Sequence, residues 1–209
     1  MFARRPDGQT AQQNVDDMNA SRDQLRSIMQ GMTDADLDNP IFTPLVGCGW
    51  ITTGMILGGC IAHTWNHSME LRMRLERNEP IAGPICTHTA LGFYSSLSLL
   101  MFDAEAAAGK DLVTVMEFTG DGGGAWTVNV ANGMPSVTEG ASENPDIVMT
   151  QSPDTFMQIF LGMTDPMTAM QEGNVQVQGM ENMMTYGSMF PPLDPAREIP
   201  TMDGAPPLG

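Results

Sequence analysis

Three side chains capable of metal or acid–base chemistry stand close together in CIAHTWNHSMELRMRLER, residues 60–77. They are Cys60, His63 and His67, separated by three and then four positions. A helix turns about 100° per residue, so all three fall in one narrow stripe, bordered by Glu70. Thiolate and imidazole suit a divalent transition metal such as Zn, Ni, Fe or Cu. One helix usually offers two ligands, so a closed site needs further groups. His88, Cys48, Glu70 or the same residues of a second chain are the candidates, and no spacing selects among them. Thr64 follows His63, so the glutamate of a metalloprotease HExxH is missing. The competing reading is a helix face at a helix or subunit contact, with hydrogen-bonded histidines and Cys60 packed as a small hydrophobe.

The chain around this stripe sets limits on its partners. It has 209 residues and a formal net charge of −16. Most of the excess acid lies after residue 80, where Lys110 and Arg197 are the only Lys or Arg. Such a surface repels phosphate backbones, which excludes nucleic acid as the expected partner. Tight binding to anionic lipid surfaces is disfavoured for the same reason. No 18-residue apolar run is present, so no integral membrane segment is expected. The N-terminus lacks the apolar core of a secretory signal. Three cysteines without a pairing framework suggest reduced thiols and a cytoplasmic location.

Periodicity then places the elements. Val15, Met18, Leu25, Ile28 and Met29 recur at roughly helical spacing over residues 10–31. PIFTPLVGCG, residues 40–49, reads as a connection. A long helix is expected from about Trp50 to Asn78, with Thr52 or Thr53 near its start. Leu57, Ile61, Trp65, Met69 and Met73 form its apolar stripe, and Gly54, Gly58 and Gly59 permit close helix contact. NEPIAGP, residues 78–84, is the expected domain boundary.

A third helix over residues 88–101 leads into alternating runs. LVTVMEFT places Leu112, Thr114, Met116 and Phe118 on one face, and AWTVNV places Trp126, Val128 and Val130 together. GDGGG lies between these strands and opens no helix, so it is not a phosphate loop. Asn132–Gly133 marks a tight turn. PSVTEG and DIVMTQS read as two more strands. Ser152–Pro153 opens a helical stretch to residue 171, NVQVQG is a last strand, and a final helix precedes a Pro-rich tail. The fold class expected is α+β: an N-terminal helical hairpin or partial bundle, then a five-stranded mixed sheet covered by helices. The expected divisions are 1–80, 81–190 and the tail, 191–209.

From about residue 88 to 190 this order of pieces resembles the sterol-carrier-protein type of lipid-binding domain. The Gly-rich hairpin before a tryptophan strand, the NG turn, PDIVMTQSPDTF and LGMTDPMTAMQEGNVQVQG carry the resemblance. It implies an apolar tunnel between sheet and helices that accepts fatty acyl chains, sterols or similar lipids, without catalytic residues. The N-terminal region resembles part of a DinB-like helical bundle. SRDQLRSIMQGMTDADLDNP looks like a first helix and loop, and WITTGMILGGCIAHTWNHSMELRMRL like the histidine-bearing helix. Full bundles of that kind have four helices and often hold a divalent metal through three histidines. This chain has room for only two or three helices before the sheet.

The function expected is a non-catalytic carrier for an apolar small molecule or lipid. Expected pocket residues before the turn are Phe93, Met101, Phe102, Met116, Phe118, Trp126 and Val128. Met157, Phe160, Leu161, Met167, Met170, Met184 and Phe190 continue the wall. The chain's 20 methionines favour soft, adaptable walls. A solid core without a tunnel is the competing reading of the same residues. The alternative function is a metal- or cofactor-dependent DinB-like enzyme using Cys60, His63 and His67. A homodimer through the N-terminal helices is expected, because the Leu57–Met73 stripe needs a partner.

Overall fold

Two-residue alternation from Leu112 onward builds a sheet, and four-residue spacing before it builds helices. The computed structural model describes residues 8–43, 49–77 and 82–191. α1 (Ala11–Gln30) starts at a capping box, where the Thr10 hydroxyl accepts from the Gln13 amide and the Gln13 side chain accepts from the Thr10 amide. A single turn, α2 (Asp34–Leu37), follows. Residues 40–52, read as a connection and a helix start, instead contain a hairpin of β1 (Pro40–Thr43) and β2 (Gly49–Thr52). Strands of four residues are too short to show a period.

α3 (Thr53–Arg74) is the expected long helix, with Thr52 as its cap. It packs against α4 (Pro84–Met101), which starts at a proline four residues before the expected bound. A Cβ on Gly59 would stand 3.2 Å from the Phe93 ring, so this glycine allows the two helices to approach. The expected boundary at residues 78–84 lies partly outside the described residues. Across it, Ala62, Trp65 and Met69 of α3 share one buried cluster with Ala90, Leu91, Phe118, Trp126 and Met157.

The sheet contains β3 (Leu112–Phe118), β4 (Gly124–Ala131), β5 (Met134–Glu139), β6 (Ile147–Gln151) and β7 (Val175–Gln178). Its order is β5-β4-β3-β6-β7, with β3 and β6 parallel and the other neighbours antiparallel. The fold is α+β with a mixed five-stranded sheet. The β4–β5 turn has φ of 53° at Asn132 and 73° at Gly133, the left-handed pair that an NG hairpin turn needs. α5 (Pro153–Phe160) is capped by Ser152, whose hydroxyl accepts from the Thr155 amide at 3.0 Å. α6 (Pro166–Gln171) is a separate helix with its own cap at Asp165, not a continuation. A short 3-10 turn (Met180–Asn182) leads into α7 (Met183–Met189).

Candidate functional site

Register decides what the inner face of the sheet carries. Leu112 pairs with Val130, Thr114 with Val128 and Ile147, Met116 with Trp126 and Met149, and Phe118 with Gly124. Val137 lies opposite Val128, and Val177 opposite Met149. Directly paired residues share a face, so one side is almost wholly apolar. The other side shows Glu117, hydrogen-bonded by Thr150 at 2.8 Å.

Above the apolar face lie two separate buried clusters. One gathers Phe118, Trp126, Leu91, Met157 and the α3 residues. The other gathers Leu112, Val128, Val130, Ile147, Met189 and Phe190. Met116 and Val137 touch both. α4 runs over both, since Leu91 belongs to the first and Met101 packs on the second. Ser95 lies one turn after Leu91, between the two ends. Thr114 lies midway on the inner row of β3.

Ser95 and Thr114 are 2% and 1% exposed. Neither hydroxyl has a hydrogen-bond partner among the described residues. An unsatisfied buried hydroxyl costs about 1–3 kcal/mol. Nearby, Ser98 donates to the Ser95 carbonyl at 2.6 Å and the Trp65 indole donates to Thr87 at 3.1 Å, while Asn66 Oδ1 and Arg72 Nε on α3 are further buried atoms without a partner among the described residues. Burial pushes the Tyr186 hydroxyl up to about 12, and raises Tyr94 against an opposing hydrogen bond with Asn66.

His88 fixes α4 to the sheet. Its ring nitrogens lie 3.0 Å from the Gly123 carbonyl and 3.2 Å from a Glu139 carboxylate oxygen, and its ring lies 4.9 Å from that of Trp126. Gly122, at φ 75°, passes under α4, where a Cβ would come within 2.4 Å of the Pro84 carbonyl. The GDGGG loop therefore serves close backbone contact. Arg72 of α3 pairs with Asp154 in the first turn of α5.

The expected pocket residues divide accordingly. Phe118, Trp126, Met157 and Leu161 belong to the first cluster, Met101, Phe102, Val128 and Phe190 to the second, and Met116 to both. Phe93 packs on the first cluster and against the α3 glycines. Phe160 is half exposed, with its ring 5.1 Å from that of Tyr94. Met167 and Met184 do not line the interior, at 58% and 88% exposed. α6 turns Ala169 inward in place of Met167, and Met170 is half-buried outside both clusters. Thr114 stood on the predicted inner row, and its hydroxyl among apolar neighbours was the signal that lining by Met and Phe obscured. Ser95, amid a Ser-rich helix, gave none.

Cys60, His63 and His67 stay on the exposed side of α3, opposite Trp65 and Met69. The two imidazoles meet edge to face at 4.5 Å, and His67 lies 3.6 Å from Glu70. Arg74, donating at 2.8 Å, chiefly holds the Glu70 carboxyl below its usual range. Among the described residues no group of three His, Cys, Asp or Glu is placed to hold a metal ion. Cys48, one proposed further ligand, lies outside them, and His88 is engaged by Gly123 and Glu139. The α3 stripe expected to face a second chain is covered from within: Trp65 and Met69 are buried, and Met73 packs on the same cluster.

An apolar sheet face roofed by helices defines the class of an α+β domain built around a sheltered apolar layer. Residues 103–191 match the model of the SCP-2 sterol transfer family, and this part of the chain is a domain of that type. The match leaves residues 1–102 outside it, α3 and α4 included, and no comparison matches the bundle expected there. No curated protein matches the chain. Among solved structures, the sterol carrier protein 2 of Yarrowia lipolytica is 18% identical with a TM-score of 0.38, over 50% of this chain and 93% of that one. Sterol carrier protein 2 like 2 of Aedes aegypti is 14% identical with a TM-score of 0.35, over 47% and 94%. The inverting sec-alkylsulfatase Pisa1 from a Pseudomonas species is 23% identical with a TM-score of 0.42, over 50% of this chain. The match spans only 16% of that enzyme. Among the described residues no helix is long and apolar enough to cross a membrane.

Proposed function

We propose that the chain is a non-catalytic carrier of an apolar small molecule or lipid, held between the inner sheet face and the layer of α4, α5 and α7. The observation that carries this reading is the pair of orphaned hydroxyls, Ser95 and Thr114, set between two apolar clusters in a domain of a sterol transfer family. Two sheltered donors without partners suit a ligand that is mostly hydrocarbon with one uncharged polar group, such as a hydroxyl, ester or carbonyl. A carboxylate is the poorer match. Lys110 is the only Lys or Arg among described residues 82–191, and its ammonium caps the Ala106 carbonyl on the surface. Each buried methylene contributes about 0.8 kcal/mol, so chain length sets the affinity and the polar group sets its register. The half-buried methionines Met101, Met116, Met149 and Met183 supply the soft contacts that varied apolar shapes require.

Native mass spectrometry tests this. Protein extracted with organic solvent and reloaded with hexadecanol, cholesterol or palmitate is expected to take up one molecule, with the alcohols retained longer than palmitate. Failure of all three to add would refute the carrier reading.

A further inference from the structure

α1 spans 20 residues, none of them buried, and forms no extended contact with any other described element. Most of a helix's stability in a protein comes from packing its apolar face, and α1 finds no such packing among the described residues. Its apolar side chains Val15, Met18, Leu25 and Met29 are 40–72% exposed. With Ala11 and Arg22 they occupy positions 11, 15, 18, 22, 25 and 29, in steps of four and three. That spacing is the a/d seam of a coiled coil. Arg22, Leu25, Arg26 and Met29, together with Gln30, line one cleft on the helix surface. The first four stand at i, i+3, i+4 and i+7, the set that forms the hole receiving a knob from a facing helix.

Charge fixes the direction of the facing helix. The N-terminal half carries Asp16 and Asp17. The C-terminal half carries Arg22 and Arg26 around Asp23, which lies 3.4 Å from each guanidinium. A parallel pair would set acid against acid and Arg22 against Arg22. An antiparallel pair sets each acidic half against a basic one and opposes the two helix dipoles. It also places Val15 opposite Leu25 and Ala11 opposite Met29, with Arg22 beside Met18. We propose that α1 pairs antiparallel with α1 of a second copy of this chain, giving a twofold dimer that leaves the lipid layer untouched. A lipid surface is the weaker occupant, since an interfacial helix needs a polar face rich in Lys and Arg, and α1 carries three acids against two arginines.

The full chain is expected to sediment at twice 22.6 kDa. The Val15→Asp, Leu25→Asp variant is expected to sediment as a monomer with unchanged near-UV spectrum. A monomeric parent protein overturns the proposal. So does a variant that stays dimeric, or one that unfolds, since unfolding would mean that α1 packs within its own chain. Direction is read in a background with Cys48, Cys60 and Cys86 changed to serine and diamide as oxidant. Val15→Cys and Leu25→Cys proteins are expected to cross-link when mixed and not when alone. Cross-linking of each alone would mean a parallel pair and refute the arrangement.

Discussion

Replacing Thr114 by valine removes one hydroxyl and little else. The two side chains have the same branched shape, both suit a strand, and residue 114 is almost wholly buried between Val128 and Ile147. An unpartnered buried hydroxyl costs about 1–3 kcal/mol, so the ligand-free variant is expected to be more stable by roughly that amount. For a chain of this size each kcal/mol raises Tm by about 2–4 °C. Ligand binding should move the other way. A hydrogen bond to a ligand alcohol contributes about 0.5–1.5 kcal/mol net, so affinity for hexadecanol should fall by about 2–12-fold while affinity for hexadecane holds. Urea unfolding of delipidated protein measures the first effect, and competition with a fluorescent fatty probe measures the second. A variant less stable than the parent would mean that the hydroxyl is already satisfied. A stabilised variant with undiminished hexadecanol affinity would mean that Thr114 does not meet the ligand. Either result refutes the argument from orphaned donors.

Other perturbations test the frame around the layer. Tyr186 has its ionisation pushed up to about 12 by burial, whereas the unfolded chain ionises near 10, so the native state binds more protons between these values. Stability is therefore expected to be intact below about pH 10 and to fall by roughly 2–3 kcal/mol towards pH 12, a loss that Tyr186→Phe should remove in alkaline denaturant titrations. Gly122→Ala combines a positive φ with a Cβ 2.4 Å from the Pro84 carbonyl. It should lower the urea midpoint by an amount equivalent to about 2 kcal/mol or more. Trp126, whose ring lies beside that of His88, should report the disturbance by fluorescence. Added Zn or Ni is expected to bind weakly at His63 and His67, since only these two imidazoles are adjacent there. Isothermal titration should show that binding lost in His63→Ala, His67→Ala protein, with hexadecanol uptake unchanged.

Period alone was enough for much of this molecule. The alternation in LVTVMEFT and AWTVNV specified two strands and which residues turn inward, because a strand's side chains can only take two sides. Asn132–Gly133 specified a hairpin turn, because few pairs accept left-handed backbone. Ser152–Pro153 and Thr52 specified helix starts through their capping chemistry. The hairpin of β1 and β2 escaped notice because four residues hold too few repeats to distinguish a strand from a loop. What covers an apolar stripe is a different kind of fact. The Leu57–Met73 row and the row along α1 both ask for a partner, yet folding supplied α4 and the sheet to one and no described element to the other. Sequence spacing put Cys60, His63 and His67 on one stripe, but only the docking of Trp65 and Met69 turned that stripe to the outside. The two buried hydroxyls were ordinary letters in the chain. They became conspicuous once the register of β3 and the path of α4 closed apolar neighbours around them, since burial is a property of three dimensions and hydrogen-bond demand is felt only where water is excluded.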